Sequence, residues 1–286
     1  MNTNWWLVRR EFWENRAIWI VPAAIGALLV LAALFGKVDF AAIAVAAPSR
    51  AVGRIYLMAF GATFYVVMTI YAGWYLLDCL YADRKDRSIL FWKSLPISDA
   101  KTVLCKLAVG LLVIPLVYFA AADLTTLLTA FIISLRARST IGGALWHADL
   151  WLQMQALWLY VIVASAIWYL PIAAWFLVVS AWARRAVTLW ALSPFLLCVV
   201  ERWFFGTYEI WNLLAARFLG FAVVAFPGGG ARWQAGVGGD AAAAPDVLRA
   251  ADIGGFLSSP DVWIGVVVGV ALLFGAIQVR LRRSEI

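Results

Sequence analysis

Residues 78–106 read DCLYADRKDRSILFWKSLPISDAKTVLCK, a charged stretch that separates two long apolar runs. The stretch contains a short apolar core of its own, ILFW at residues 89–92. Pro96 ends that segment, because proline disfavours helical backbone in the residue before it. Ser98 or Asp99 can then cap the helix that follows. The stretch therefore predicts a short helix, a break, and a second helix that continues into the next apolar run.

The chain as a whole is far more apolar than a soluble domain. Its 286 residues are 65% hydrophobic and 14% charged, with a mean hydropathy of +0.89, whereas soluble domains carry about 25% charged residues. Several apolar runs reach the roughly 20 residues that a helix needs to cross a bilayer. We therefore predict an all-α polytopic membrane protein. The net charge is +7, but the sequence contains no basic soluble domain that could bind nucleic acid. We therefore expect the basic residues to contact lipid headgroups, and we do not expect nucleic acid as a partner.

The apolar runs predict a single transmembrane domain, residues 1–286, with six spans. An interfacial helix is expected at its N-terminal end, a loop between the second and third spans, and an external segment before the last span. Their predicted bounds are 2–15 for the interfacial helix, 17–35, 55–77, 103–133, 150–180, 186–200 and 261–279 for the spans, 78–102 for the loop and 201–260 for the external segment. Pro171 is expected to kink the fourth span, and the fifth is shorter than a full span.

Basic residues concentrate in alternate connecting segments, which predicts the orientation of the chain. The basic segments contain Arg9, Arg10, Arg16, Arg84, Lys85, Arg87, Lys93, Lys101, Arg184, Arg185, Arg280, Arg282 and Arg283. We therefore expect both termini and the 78–102 loop to be cytoplasmic, in a multi-pass protein of the cell inner (cytoplasmic) membrane. No cleaved signal peptide is expected, because the basic residues follow Trp5 and Trp6 and no small-residue cleavage site comes after the apolar run.

The N-terminal residues 2–15 have the pattern of an amphipathic helix. Aromatic and charged side chains fall on opposite faces: Trp5, Trp6, Phe12 and Trp13 on one, and Arg10, Glu11 and Glu14 on the other. A helix lying in the headgroup plane is the expected arrangement, and an extension of the first span is the alternative. Arg9 falls within the aromatic face and would have to snorkel towards water.

No motif for nucleotide, metal or nucleophilic chemistry is present in the sequence. There is no P-loop, no HExxH and no GxSxG. The only histidine, His147, falls in a predicted external turn, and the three cysteines (Cys79, Cys105 and Cys198) lack the spacing of a metal or redox pair. We therefore predict no catalytic residue, no metal and no cofactor in this chain, which is not expected to be an enzyme.

Two acids are candidates for a polar substrate path within the membrane, Asp123 and Glu201. An acid inside an apolar segment is costly and indicates function by default. Asp123 follows Lys101 by about 33 Å of helix at 1.5 Å per residue, so the alternative is an acid at the outer interface. In that case it would pair with an external arginine or bond to Thr125 or Thr126. Glu201, beside Arg202, has two similar interpretations: a residue that faces a cavity in the membrane, or a residue that faces water at the outer edge.

The order of these parts resembles the permease subunits of ABC-2 type transporters. The resemblance is sharpest over residues 83–106, where the family's first cytoplasmic loop is matched by Asp86-Arg87-Ser88, an apolar turn, LPIS at residues 95–98, and Lys106. It implies a subunit that forms the substrate path, pairs as a homodimer or heterodimer, and docks on a separate ATP-binding subunit. That partner would bind the ATP, and export is the common direction of transport in the family.

The loop would then contain a coupling helix that docks on the ATP-binding subunit. The docking residues that we predict are Arg87, Ile89, Leu90, Phe91, Trp92 and Leu95, since exposed apolar side chains usually mark a partner site. The alternative for this segment is a helix lying flat on lipid headgroups. For the chain, the main alternative is a membrane-embedded enzyme acting on lipids or peptides, which needs convergent reactive side chains. A secondary transporter, which would show internal repeats, is a third.

Overall fold

The computed structural model describes residues 3–37, 49–86, 98–136, 142–227 and 251–282, and within these ranges the regular structure is entirely helical. The predicted docking residues 87–95 lie outside them. The helices are Thr3–Glu14 (α1), Ala17–Phe35 (α2), Ser49–Lys85 (α3), Asp99–Arg136 (α4), Ala148–Trp168 (α5), Leu170–Trp182 (α6), Val187–Ala191 (α7), Ser193–Phe205 (α8), Glu209–Leu219 (α9), Phe221–Ala225 (α10), Ile253–Ser258 (α11) and Pro260–Arg282 (α12).

Five helical segments of the described residues are long and apolar enough to cross a membrane: α2, α3, α4, Gly143–Trp168 (α5 with the turn before it) and α12. Large apolar side chains on them point outward, such as Leu28 at 66% exposure and Ile70 at 69%. An outer surface of this kind suits hydrocarbon, where apolar side chains need no burial against protein. The all-α part of the predicted class is thereby confirmed, and by length and composition five of the described helices could span a membrane.

Helices α3 and α4 are longer than their predicted spans. They contain 37 and 38 residues, which corresponds to about 55 Å each at 1.5 Å per residue. A bilayer core is only about 30 Å thick, so both helices extend well beyond it. Ser98 is the N-cap of α4, as predicted, because its Oγ accepts a hydrogen bond from the backbone N–H of Lys101 at 3.3 Å.

Helix α4 is interrupted by one π-helical segment, Val109–Val113. Pro115 explains its position, since proline has no N–H to donate and its ring clashes with the carbonyl four residues earlier. The N–H of Ile114 instead reaches back to the carbonyl of Val109. Widening of this turn lets α4 continue past the proline without ending, and the sequence analysis did not foresee it.

The predicted fourth and fifth spans are each divided. The fourth is broken at Tyr169, two residues before Pro171, where α5 gives way to α6. The fifth is divided at Leu192 into the short helices α7 and α8, with Pro194 in the first turn of α8. Neither piece of the fifth is long enough to cross a membrane alone, so the described residues provide five long apolar helices where six spans were expected.

The main core lies among α3, α4, α6 and α12. Its fully buried side chains include Leu80, Val103, Leu177 and Ala276. Helix α12 packs closely along α6, and Gly269 makes this possible because a Cβ there would press on Leu170 and on the backbone of Pro171. The core therefore packs α12 against α3 and α4, the two helices that residues 86–98 connect.

The segment before α12 folds back onto the end of α5. Arg217 of α9 lies over the ring of Trp168, 4.4 Å from its centroid, and donates to the Asp261 carbonyl at 3.0 Å. The indole N–H of Trp168 donates to the Arg217 carbonyl at 2.8 Å. These contacts fix α9 against α5 and the start of α12. Residues 228–250 of the predicted external segment lie outside the described ranges.

Candidate functional site

Two polar groupings lie within the bundle, and the first is a cluster of buried charges. It consists of Arg10, Glu11, Asp83, Asp99, Lys106 and Arg280, which we call the charge cluster. Four of these side chains are almost fully buried: Glu11 and Lys106 at 2% exposure, Arg280 at 3% and Asp83 at 6%. They come from α1, the end of α3, the start of α4 and the end of α12. The cluster therefore joins four helices at one end of the bundle.

Lys106 is at the centre of the charge cluster. Its Nζ lies 3.2 Å from Glu11 Oε1 and 3.4 Å from Asp83 Oδ1. The carboxylate of Asp83 is also 3.3 Å from Arg280 Nη1, and Arg280 Nε donates to Asp99 Oδ1 at 2.9 Å. Positive and negative side chains thus alternate through the cluster, and each ion is next to one of opposite charge. Buried ions need such partners, because their removal from water is costly.

Helix α1 is tied to the cluster through Glu11. Its Oε2 accepts a hydrogen bond from the hydroxyl of Tyr75 at 2.7 Å, and Arg10 Nη2 lies 2.9 Å from its Oε1. Burial by itself would raise the pKa of Glu11, but the charges of Lys106 and Arg10 and the hydrogen bond from Tyr75 hold that pKa below its ordinary value. Glu11 is thus a stably ionised carboxylate.

The orientation of α1 differs from the simplest amphipathic prediction. Trp5, Trp6 and Trp13 are exposed, at 63%, 48% and 66%, as a lipid-facing surface would be. The charged face, however, is packed against the bundle and does not face solvent at Glu11. The reason is that Lys106 and Asp83 supply partners there, which a helix considered alone does not reveal.

Arg84, the neighbour of Asp83, ties α3 to α6. Its Nη2 donates to the carbonyls of Ser180 and Ala183 at 2.6 and 2.8 Å. The hydroxyl of Ser180 in turn accepts from the backbone N–H groups of Leu80 and Tyr81. The two helix ends that flank residues 87–97 are therefore bound to α1, α6 and α12.

The second grouping surrounds Asp123, in a pocket between α3, α4 and α5 that is open on one side. The space between these helices, counted together with the open solvent at its mouth, is about 490 Å³. Asp123 Oδ1 accepts from Gln155 Nε2 at 2.7 Å, whereas the hydroxyls of Thr125 and Thr126 bond to backbone carbonyls of α4. Among the described residues no basic side chain pairs with Asp123. An acid at the outer interface was expected to pair with an arginine or to bond to a threonine. The partner of Asp123 is instead Gln155.

Several residues that line this pocket carry a buried polar atom with no hydrogen-bond partner among the described residues. They are the Tyr118 hydroxyl, Gln155 Oε1 and Trp158 Nε1. An unsatisfied buried group of this kind typically costs about 1–3 kcal/mol. Tyr118 is only 1% exposed. Apart from Thr126, the remaining lining residues are apolar or aromatic, and they include Phe64, Tyr65, Trp151 and Phe119.

Glu201 is not part of this pocket. Its Oε1 accepts from the Thr207 hydroxyl at 2.7 Å and from the Glu209 N–H at 2.8 Å, and its Oε2 accepts from the Ile210 N–H at 2.9 Å. In this position Glu201 caps the start of α9, and its role in a substrate path stays a prediction.

Asp123 was predicted from the sequence, and Lys106 through the family resemblance, but the grouping of Glu11, Asp83 and Arg280 was not predicted. One signal was available: all of them lie at the predicted cytoplasmic ends of apolar runs. Cys79 and Cys198 are buried free thiols and Cys105 is half-buried, in keeping with packing roles. Within the described ranges no set of three or more His, Cys, Asp or Glu side chains could hold a metal ion.

Comparison with known proteins adds no assignment. No protein-family description, no curated protein and no solved structure matches this chain.

Proposed function

We propose that the chain is the membrane-spanning permease subunit of an ABC-2 type transporter. It forms the substrate path, pairs with a second permease chain as a homodimer or heterodimer, and couples to a separate ATP-binding subunit that hydrolyses ATP. Export is the proposed direction. The resemblance of residues 83–106 to the first cytoplasmic loop of that family is where this proposal begins.

The observation that carries the proposal is the charge cluster. A partner that pushes on residues 87–97 acts on the end of α3 and the start of α4. Asp83 and Lys106 lie near those two ends and are paired with each other at 3.4 Å. Arg280 extends the pairing to α12, and Glu11 extends it to α1. Since packed interiors deform little, a displacement of the loop is transmitted to several helices together, which is what coupling to an ATPase requires.

We also propose that α7 and α8 together make the fifth of six crossings, as a broken helix. Together they cover 187–205, about 28 Å at 1.5 Å per residue, which is close to the thickness of a bilayer core. Both termini and Lys93 then lie inside and Gly239 outside. Single cysteines introduced at these positions, in a variant without the three native cysteines, test the arrangement with a membrane-impermeant thiol reagent. Labelling of Lys93→Cys and Gly239→Cys from the same side contradicts six crossings.

The docking interaction is tested by charge substitutions in the loop. Phe91→Asp and Arg87→Glu are expected to leave the protein inserted in the membrane but to abolish copurification of a P-loop ATPase and its vanadate-sensitive ATP hydrolysis. An interface anchor typically contributes about 2 kcal/mol or more, which is roughly a 30-fold change in affinity. Lys101→Glu, an exposed charge reversal on α4, is the matched control.

Wild-type levels of the ATPase on the substituted chain would show that this loop is not the docking site. Hydrolysis of lipid or peptide by the isolated chain, without any ATPase, would instead favour the membrane-embedded enzyme.

A further inference from the structure

The pocket between α3, α4 and α5 has the chemistry of a ligand site. Its one carboxylate, Asp123, is neutralised by no described basic side chain, and its bond comes from the uncharged amide of Gln155. A carboxylate in a partly apolar site is favoured by a nearby positive charge. None of the described residues therefore places a positive charge beside this carboxylate.

The unpartnered atoms specify the hydrogen-bonding groups of the ligand. Gln155 Oε1 is an acceptor that receives no hydrogen bond from any described residue, and it belongs to the same amide that binds Asp123. Two neighbouring acceptors call for a group with several N–H donors, as a protonated amine has. Within the described part of the chain the Trp158 N–H and the buried Tyr118 hydroxyl have no acceptor, and a hydroxyl or carbonyl oxygen on the same molecule would satisfy them.

The walls of the pocket specify the body of the ligand. Tyr65 and Trp158 lie with their ring centroids 6.0 Å apart, and Phe64, Trp151 and Phe119 add further aromatic surface. Aromatic faces attract cations and pack against apolar groups. The position of Trp158 depends on Gly61, where an added Cβ would overlap the indole ring.

We propose that this pocket binds a protonated organic amine that carries an apolar or aromatic body and a hydroxyl or carbonyl oxygen. The ammonium lies at Asp123 and Gln155, the oxygen at Trp158 and Tyr118, and the body against the aromatic walls. The ligand's role as cargo rests on the proposed permease function, whereas the binding itself does not.

The test uses phenylethanolamine, which is protonated at neutral pH, and styrene glycol, in which a hydroxyl replaces the amine. Binding to the purified full-length chain in phosphatidylglycerol nanodiscs is measured by calorimetry. Saturable binding of the amine is expected, and the glycol should compete poorly. Asp123→Asn should weaken amine binding about tenfold or more, the range for a hydrogen bond to a charged group. Asp149→Asn, an exposed acid outside the pocket, should bind as wild type does.

A second variant, Gly61→Ala, should weaken binding by displacing Trp158, and it keeps the proposal testable if Asp123→Asn does not fold. Nanodiscs containing phosphatidylethanolamine separate two sources of amine: a lower apparent affinity there identifies the lipid headgroup as the ligand, and unchanged affinity identifies a free amine. Equal binding by Asp123→Asn and wild type, or equal affinity for the glycol and the amine, overturns the proposal. These measurements need no ATPase, so failure of the permease function would leave them unaffected.

Discussion

The charge cluster and the Asp123 pocket are both polar groupings inside the same apolar bundle, but they differ in completeness. In the cluster, Asp83 pairs with Lys106 and with Arg280 on two other helices, both within 3.4 Å. In the pocket, Asp123 has one uncharged partner and three neighbouring polar atoms have none among the described residues. Buried polar groups that satisfy each other stabilise the fold, whereas those without partners store an unfavourable energy that a ligand can release. The cluster is thus a tie between helices, whereas the pocket is the ligand site that we propose.

The largest effect is expected from removal of the central cation of the cluster. Lys106→Ala leaves Glu11 and Asp83 without the charge between them, and breaking a buried pair in this way typically costs about 3–5 kcal/mol. Unfolding of the purified protein by titration with sodium dodecyl sulfate measures the loss. Lys101→Ala, at an exposed position on the same helix, is the control. Similar stability of the two variants would show that the cluster does not hold the bundle together.

Two buried tyrosines allow a direct test of the contrast. The hydroxyl of Tyr75 donates to the ionised Glu11, so Tyr75→Phe is expected to lower the free energy of unfolding by about 1.5–3 kcal/mol, the range for a hydrogen bond to a charged group. The hydroxyl of Tyr118 has no described partner, so Tyr118→Phe should cause no loss of stability. The same unfolding titration measures both, and a larger loss for Tyr118→Phe would reverse our assignment.

A smaller, pH-dependent effect is expected from Glu11. Its pKa is lowered in the folded protein, so its contribution to stability is present above the unfolded value of about 4.3. That contribution is lost as the pH falls through the lower folded-state pKa. The loss is partial, since a protonated carboxyl still accepts from Tyr75. Thermal unfolding between neutral and acidic pH should show a steeper decline in wild type than in Glu11→Gln, and parallel profiles would contradict this role.

The smallest effect is expected at the exposed ion pair between Arg50 and Asp149. Both side chains are about half exposed, and such pairs contribute roughly 0–1 kcal/mol because water screens the charges. Arg50→Ala should therefore change the free energy of unfolding by less than about 1 kcal/mol. A loss as large as that of Lys106→Ala would mean that burial does not distinguish the two kinds of ion pair.

The sequence predicted the class and most helices because long apolar runs and breaking residues are local signals. The helix at residues 2–15 was found at Thr3–Glu14, the Ser98 cap was found as expected, and the break before Pro171 matches the predicted kink. The length of α3 was underestimated because its first turns, around Arg50 and Arg54, are too polar to be counted as part of a span.

The sites were less predictable, because their partners are distant in sequence. The carboxylate of Asp123 was visible as an acid in an apolar run, but Gln155 lies on another helix and has no distinctive local pattern. Glu11 was assigned to a polar face, and only the tertiary structure brings Lys106 and Asp83 to it. Pro115 was present in the sequence, but whether a proline ends, kinks or widens a helix depends on its surroundings.

The π turn at Val109–Val113 constrains how the length of this chain can vary. A π turn holds one residue more than an α turn, and one residue corresponds to about 100° of rotation around a helix. Lys106 precedes the turn, and Tyr118 and Asp123 follow it. Deletion of a single residue there would rotate the pocket side of α4 away from α5 while leaving the cluster side in place. We therefore expect insertions and deletions to be tolerated poorly between Lys106 and Tyr118.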